Sequence, residues 1–180
     1  ADIFLNDTKS AKCQEAALMF SAAGSISHYP PSSWAHYTGN ASEAARNSNI
    51  AYGSYGPGSV DAYIRDDGGN NYLVGHRRWL LYSRAQEMGT GDAPPSGSRP
   101  SANAIWVMGQ HKASAPASFV AWPTIGFTPK NLVPARWSLS YPNANFGSAS
   151  VTMRRNGVAV PLQIISSAQN GYGENTIVWE

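Results

Sequence analysis

Every segment with helical periodicity lies in the first half of this 180-residue chain, and the residues beyond 92 read as strands and turns. That asymmetry leaves two architectures: two separate units, or a mixed α+β core carrying an all-β extension. The charges divide at the same place. Residues 1–92 hold nine acids against seven Lys and Arg, whereas residues 93–180 hold two acids against six.

The first segment, Asp7 to Ala23, sets Cys13, Ala16, Ala17 and Phe20 at helical spacing. Asn6 or Asp7 is expected to cap its start, and Gly24 to end it. A short helix is expected over Ser42 to Ala51. Another is expected from Ser59 to Asp66, with Ser59 as N-cap and Asp61 in the first turn, where the helix dipole favours an acid. Leu73 to Leu81 is apolar at both ends with a basic centre. Then strands take over: Glu87–Gly91 and Asn103–Gly109 are expected as neighbours. Further on, Asn156-Gly157 lies between the alternating runs 151–155 and 158–162, and both residues tolerate the positive φ of a tight hairpin. With Arg136–Ser140 and Thr176–Trp179, this predicts one small sheet of four or more strands, sandwich-like in character.

Composition closes several alternatives. Only 13% of the residues are charged, about half the ~25% of an ordinary soluble domain. The apolar fraction is nevertheless 42%, with 6 Trp, 9 Tyr and 5 Phe, which opposes intrinsic disorder. No run approaches the ~18 apolar residues of a membrane span. A net charge of +2 is too small to imply binding to nucleic acid or a membrane surface. Cys13 is the lone cysteine, so neither an intrachain disulfide nor a Cys-rich zinc site is available, and it is expected to be a small buried hydrophobe. The chain starts at Ala1 without methionine and is expected to be a fragment or a processed product.

No His-Glu-x-x-His, Walker-type phosphate loop or Gly-x-Ser-x-Gly elbow is present. The chemistry falls to histidines and carboxylates. His28, His36 and His76 lie in the acidic half, and His111 outside it. Imidazole binds transition metals and exchanges protons near neutral pH. His76 stands out because Gly75 precedes it and Arg77-Arg78 interrupt an apolar run. Those arginines, beside Tyr72, Trp79 and Tyr82, have the ingredients of a single-strand nucleic-acid site. Structural ion pairs with Asp66, Asp67 or Glu87 are the favoured reading in so sparsely charged a chain.

Taken in order, several short segments are more informative together than singly. They are Ser25-Ile26-Ser27-His28, Asn49-Ile50-Ala51, Val60-Asp61-Ala62-Tyr63 with Asp66, Gly75-His76-Arg77-Arg78-Trp79-Leu80-Leu81, and Met88-Gly89-Thr90-Gly91. Over about residues 5–110 this set resembles the CAP superfamily (SCP-like), the domain of cysteine-rich secretory, antigen 5 and pathogenesis-related 1 proteins, and most of all its cysteine-poor bacterial branch. The resemblance implies an α-β-α sandwich around a central cleft in a secreted protein. It also implies two histidines and two acids facing that cleft, often with a divalent metal such as zinc. By motif these are His28, His76 and Asp66, with Asp67 as the neighbouring alternative. The chain departs at the fourth position: Ser48 stands where the family has glutamate, and Glu43 is the nearest substitute. The family's first helix is expected to be missing ahead of Ala1. The division expected is a CAP-like domain over 1–115 and a β-rich, immunoglobulin-like extension over 116–180.

The resemblance supports three functions. The first is a secreted or envelope-bound binding module whose cleft takes a metal, with His28 and His76 as ligands, or a small ligand, lipid or polysaccharide. Its extension would then meet a protein partner at the cell surface. The second is a metal-assisted hydrolase of peptide or cell-wall bonds, with Glu43 or Asp66 as general base. The third is a structural envelope domain. Binding without turnover is preferred.

Overall fold

The computed structural model describes residues 3–115, 118–167 and 171–180. Two compact units emerge: Ala1–Tyr63 with Arg84–Ala113, and Ile64–Ser83 with Ser114–Glu180. The mixed α+β character expected from the sequence is present, and the carboxy-terminal part is all-β. The segment 64–83 belongs with the carboxy-terminal residues, so the units interleave along the chain.

In the first unit a four-stranded sheet has the order β1-β3-β4-β2, with β1 at Phe4–Leu5, β2 at Ser48–Tyr52, β3 at Glu87–Ala93 and β4 at Ala102–Trp106. Helix α1 (Asp7–Ala23) lies on it. Its ends are as expected: the Asn6 side chain accepts from Lys9 N at 3.0 Å, and Gly24 stops the helix at φ 67 with its N–H on Phe20 O. Helix α2 (Gly39–Asn47) is capped by Thr38, whose side chain accepts from Ala41 N. It therefore begins earlier than the expected Ser42 start and stops before Ser48. Asn49-Ile50-Ala51 is strand, because Ser48 to Tyr52 pairs antiparallel with Trp106 to Ala102. Helix α3 (Pro57–Arg65) likewise starts ahead of Ser59. Proline suits the first helical turn, where its missing N–H would have no intrahelical partner. Ser59 is buried, and its hydroxyl donates to Ser54 Oγ instead of capping.

The core under α1 and α2 is built from small residues. Cys13, Ala16, Met19, Phe20, Ala41, Ala44, Ala45, Ile50, Ala102, Ala104 and Trp106 form one buried cluster. Alternation along β4 puts Ala102, Ala104 and Trp106 on that face. Asn103 points the other way, where Tyr63 of α3 donates its hydroxyl to Asn103 Oδ1 at 2.9 Å. Burial raises the Cys13 thiol above its ordinary range, against smaller opposing effects that include the Ser48 hydroxyl.

Helix α1 and strand β3 approach each other backbone to backbone. A Cβ placed on Gly91 would lie 2.1 Å from Gln14 N, and one on Gly89 would lie 2.6 Å from Ser10 N. Both positions face the helix backbone, so a side chain at either would push helix and strand apart. The backbone N–H of the cap residue Asn6 and two side chains of α1 also complete the strand's outer edge. Asn6 N donates to Met88 O, Ser10 Oγ accepts from Thr90 N, and Gln14 bonds both N and O of Asp92. Residues 6, 10 and 14 are one helical turn apart and meet 88, 90 and 92, two apart on the strand.

In the second unit, α4 (Gly75–Leu80) accompanies six short strands. These are β5 (Val120–Trp122), β6 (Trp137–Ser140), β7 (Met153–Arg155), β8 (Val158–Val160), β9 (Ile164–Ser166) and β10 (Thr176–Trp179). Four of them form an antiparallel sheet in the order β5-β6-β10-β9, and all of β10 is buried. The Asn156-Gly157 hairpin forms as expected, with φ 52 and 81 at its two turn residues. It is, however, a separate two-stranded sheet, β7-β8, outside the four-stranded ladder into which the sequence placed it. Its β8 strand is exposed throughout, so no alternating buried face ties it to the larger sheet.

Gly91→Ala is expected to cost about 1–3 kcal/mol or more, because backbone cannot step aside for the new methyl. Gly39→Ala, with nothing within 4 Å of its Cβ, should be neutral or stabilising by up to about 1 kcal/mol. Thermal denaturation of the two variants checks this. Cys13 should resist thiol reagents in the native protein and react on unfolding, as followed by Ellman titration with and without denaturant.

Candidate functional site

Asp66 follows α3 in the left-handed region, at φ 50. Aspartate tolerates that conformation better than most residues. Its side chain is 1% exposed, and both carboxylate oxygens are engaged. Oδ2 accepts from His76 N at 3.0 Å and from Arg77 N at 3.4 Å, while Oδ1 lies 2.7 Å from His76 Nδ1. One carboxylate thus accepts from two backbone N–H groups at the start of α4 and orients the imidazole. A ring N–H on Nδ1 pointing at a carboxylate leaves the lone pair of the neutral ring on Nε2. Just before this helix, Val74 has φ 44 although it is β-branched and fully buried. A β-branched residue held there is a backbone outlier, and such strain concentrates at functional positions.

The two arginines after His76 serve the scaffold. Arg77 is 1% exposed, and its guanidinium donates to the carbonyls of Ile64, Arg65 and Arg136 and to Ser138 Oγ. Burial pushes it down to about 10, with Asp66 and Asp67 opposing, so it is still a cation at neutral pH. Arg78 is buried too, donates to Glu174 O at 2.9 Å and lies over the Tyr172 ring. The ion pairs expected with Asp67 and Glu87 are replaced. Asp67 pairs with Arg65 at 3.0 Å, and Glu87 pairs with Lys9 at 2.8 Å, which together with Asn6 holds the Glu87 carboxyl below its ordinary range. Carbonyls suit the buried guanidinium because its five donors exceed what one carboxylate accepts.

Loop 171–174 completes the support of α4. The Tyr172 ring packs against Gly75, so closely that a Cβ there would lie 3.0 Å from it. Ser83 donates to the Glu174 carboxylate at 2.6 Å. Sequence reasoning missed Tyr172, Ser138 and Glu174. The one available signal was Gly75, whose missing side chain makes room for the tyrosine ring.

The other two expected site residues lie in the first unit. His28 is exposed, and its Nδ1 is 2.7 Å from the carbonyl of Ala45, one of the carbonyls left unpaired at the end of α2. This also fixes the proton on Nδ1 and the lone pair on Nε2. Glu43 is held by Lys12 at 2.7 Å. Ser48 is buried, 3.6 Å from Cys13 Sγ, at the start of β2. Of the four expected residues, then, Asp66 and His76 are in direct contact, while His28 and Glu43 have partners of their own. Among the described residues, no three His, Cys, Asp or Glu gather in a group able to hold a metal ion.

Asp66→Ala is expected to abolish the fixed tautomer of His76, seen as loss of the Nδ1–H signature in long-range proton–nitrogen spectra. Arg77→Met should lower stability by about 3 kcal/mol, because three partly buried carbonyls lose their donor. Chemical denaturation measures it.

Gly75 at the start of α4, the Asp66–His76 pair and the two glycines facing α1 all belong to the ordered segments that resemble the family. Residues 5–108, more than half of the chain, match the family described as CAP, the cysteine-rich secretory protein family. No curated protein and no solved structure matches. The chain is a member of the CAP family.

Proposed function

We propose that this chain is a binding module acting outside the cell or at the cell envelope, with His76 as the group that meets its ligand and His28, in the other unit, as a separate second candidate. The CAP family match supports a module of this kind; among the described residues no helix is long and apolar enough to cross a membrane. The observation that carries the reading is the Asp66–His76 pair, in which a buried carboxylate orients a partly exposed imidazole. An oriented imidazole whose Nε2 holds the lone pair accepts a hydrogen bond from a polar ligand, and His28 is prepared in the same way by Ala45 O. The α-β-α sandwich with its cleft, and the immunoglobulin-like nature of the carboxy-terminal strands, belong to this proposal. So does contact between those strands and a protein or polysaccharide at the cell surface.

Zinc or another divalent metal is part of the proposal in a restricted form. Imidazoles with Nδ1 engaged are suitable ligands. The acids are less so, since Asp66 is bonded to His76 and Glu43 to Lys12. A metal here would be held through His28 or His76, with non-protein ligands supplying the rest of its coordination. It would offer a bound ligand an electrophilic contact.

A hydrolase is the second reading, favoured by the same pair, because a carboxylate-oriented imidazole is the usual general base of hydrolytic sites. In it His76 takes the proton and Asp66 positions it.

Titration calorimetry with zinc chloride and with a panel of lipids and glycans tests the proposal. Heat that His76→Ala with His28→Ala removes, in a variant that retains the native circular dichroism, is the expected result. Binding unchanged by the double variant would sink the binding role of the histidines. Turnover of peptide, peptidoglycan or ester substrates, abolished by His76→Ala, would favour the hydrolase.

A further inference from the structure

The stretch from Ala113 to Pro129 contains no charged residue, and Lys130 lies directly after it. Within it, β5 ends at Trp122, and residues 123–129 (Pro-Thr-Ile-Gly-Phe-Thr-Pro) form an exposed turn of the second unit. A proline brackets each side. Thr124 Oγ1 and Thr128 Oγ1 lie 3.3 Å apart and close the base of the turn. Gly126, at φ +95, bends its tip, and a Cβ there would meet nothing within 4 Å. The residues flanking that glycine are Ile125 and Phe127, which are 79% and 106% exposed.

Single exposed apolar residues are ordinary on protein surfaces. Two of them at the tip of a closed, proline-bracketed turn are not explained by packing, because neither contributes to the core of its own unit. We propose that the 123–129 turn is an interfacial anchor that inserts Ile125 and Phe127 into the surface of an anionic lipid bilayer.

Three features favour lipid over a protein partner. The tip is two side chains wide, roughly 300–400 Å² at most, whereas a specific protein interface covers about 800 Å² on each partner. The 17 uncharged residues of the stretch let the tip enter the headgroup region without desolvating an ion. Finally, Lys130 is exposed immediately beyond the turn, in a unit with seven Lys and Arg against four acids, and anionic headgroups attract such cations. The net charge of the whole chain conceals this excess, because the other unit holds six Lys and Arg against seven acids.

The test uses the 180-residue chain with vesicles of phosphatidylcholine alone and of phosphatidylcholine with phosphatidylglycerol in equal parts. Co-sedimentation with the anionic vesicles is expected, weakened at least tenfold by Ile125→Ser with Phe127→Ser and several-fold by Lys130→Glu. Phe127→Trp provides an independent readout, a blue shift of the new indole's fluorescence on adding anionic vesicles. All four substitutions are at exposed positions, and circular dichroism checks that the fold is kept. Failure to bind either vesicle, equal binding by the Ser/Ser variant, or an unshifted emission from the bound Phe127→Trp variant would each overturn the proposal. Phe127-dependent capture of a protein without vesicle binding would assign the tip to a protein partner and overturn it too. Because His28 and His76 take no part, the outcome is separate from that of the ligand titrations.

Discussion

The approach of α1 to β3 over Gly89 and Gly91 is the constraint on which the first unit rests. Two backbones can come that close only where the strand presents hydrogen in place of a side chain. The consequences spread outward from this line of contact. A helix so near the sheet leaves little room for large residues, so the buried cluster is dominated by alanine, with Phe20, Met19 and Trp106 filling the margins. The same proximity lets short side chains, Ser10 and Gln14, reach the strand's outer polar groups. An unpaired strand edge is a template for unwanted pairing. Here the helix that supplies the core also covers the edge.

The second unit depends on a buried charge. A guanidinium removed from water is costly unless its donors are satisfied, and Arg77 reaches three carbonyls and a hydroxyl. Those acceptors come from α3's end and from β6 and the residue before it, so one side chain joins segments far apart in the chain. Asp66 and His76 are adjacent to this hub. Their geometry therefore depends on how Arg77 is held, as well as on their own hydrogen bonds.

What the sequence made legible divides along physical lines. The caps of α1 were readable because Asn6 and Gly24 act on their immediate neighbours. The Asn156-Gly157 turn was readable because positive φ is a property of those two residues. The motif order gave the family and located Asp66 and His76 ten residues apart, and the structure places them in contact. The limits of α2 and α3 were misread by a few residues. At Asn49-Ile50-Ala51 pairing with β4 outweighed local preference, and at Ser59 burial did. The partners of Arg77 were invisible, since a carbonyl at position 136 carries no sequence signal. Lys12, which holds Glu43, belongs to the same class: the pair is 31 residues apart and forms only when α1 and α2 pack together.

The residues that shape α4 come from both sides of the family's sequence limits. Gly75, His76 and Arg77 lie within the family match, whereas Arg136, Ser138, Tyr172 and Glu174 lie beyond its end at residue 108. An excised family domain would therefore keep the histidine and lose the floor beneath it. For the same reason, a substitution at Ser138 or Tyr172, far in sequence from the histidine, would reach His76 through α4. The histidine helix and the extension thus share one set of supports, and a boundary drawn at the family's limit cuts through it.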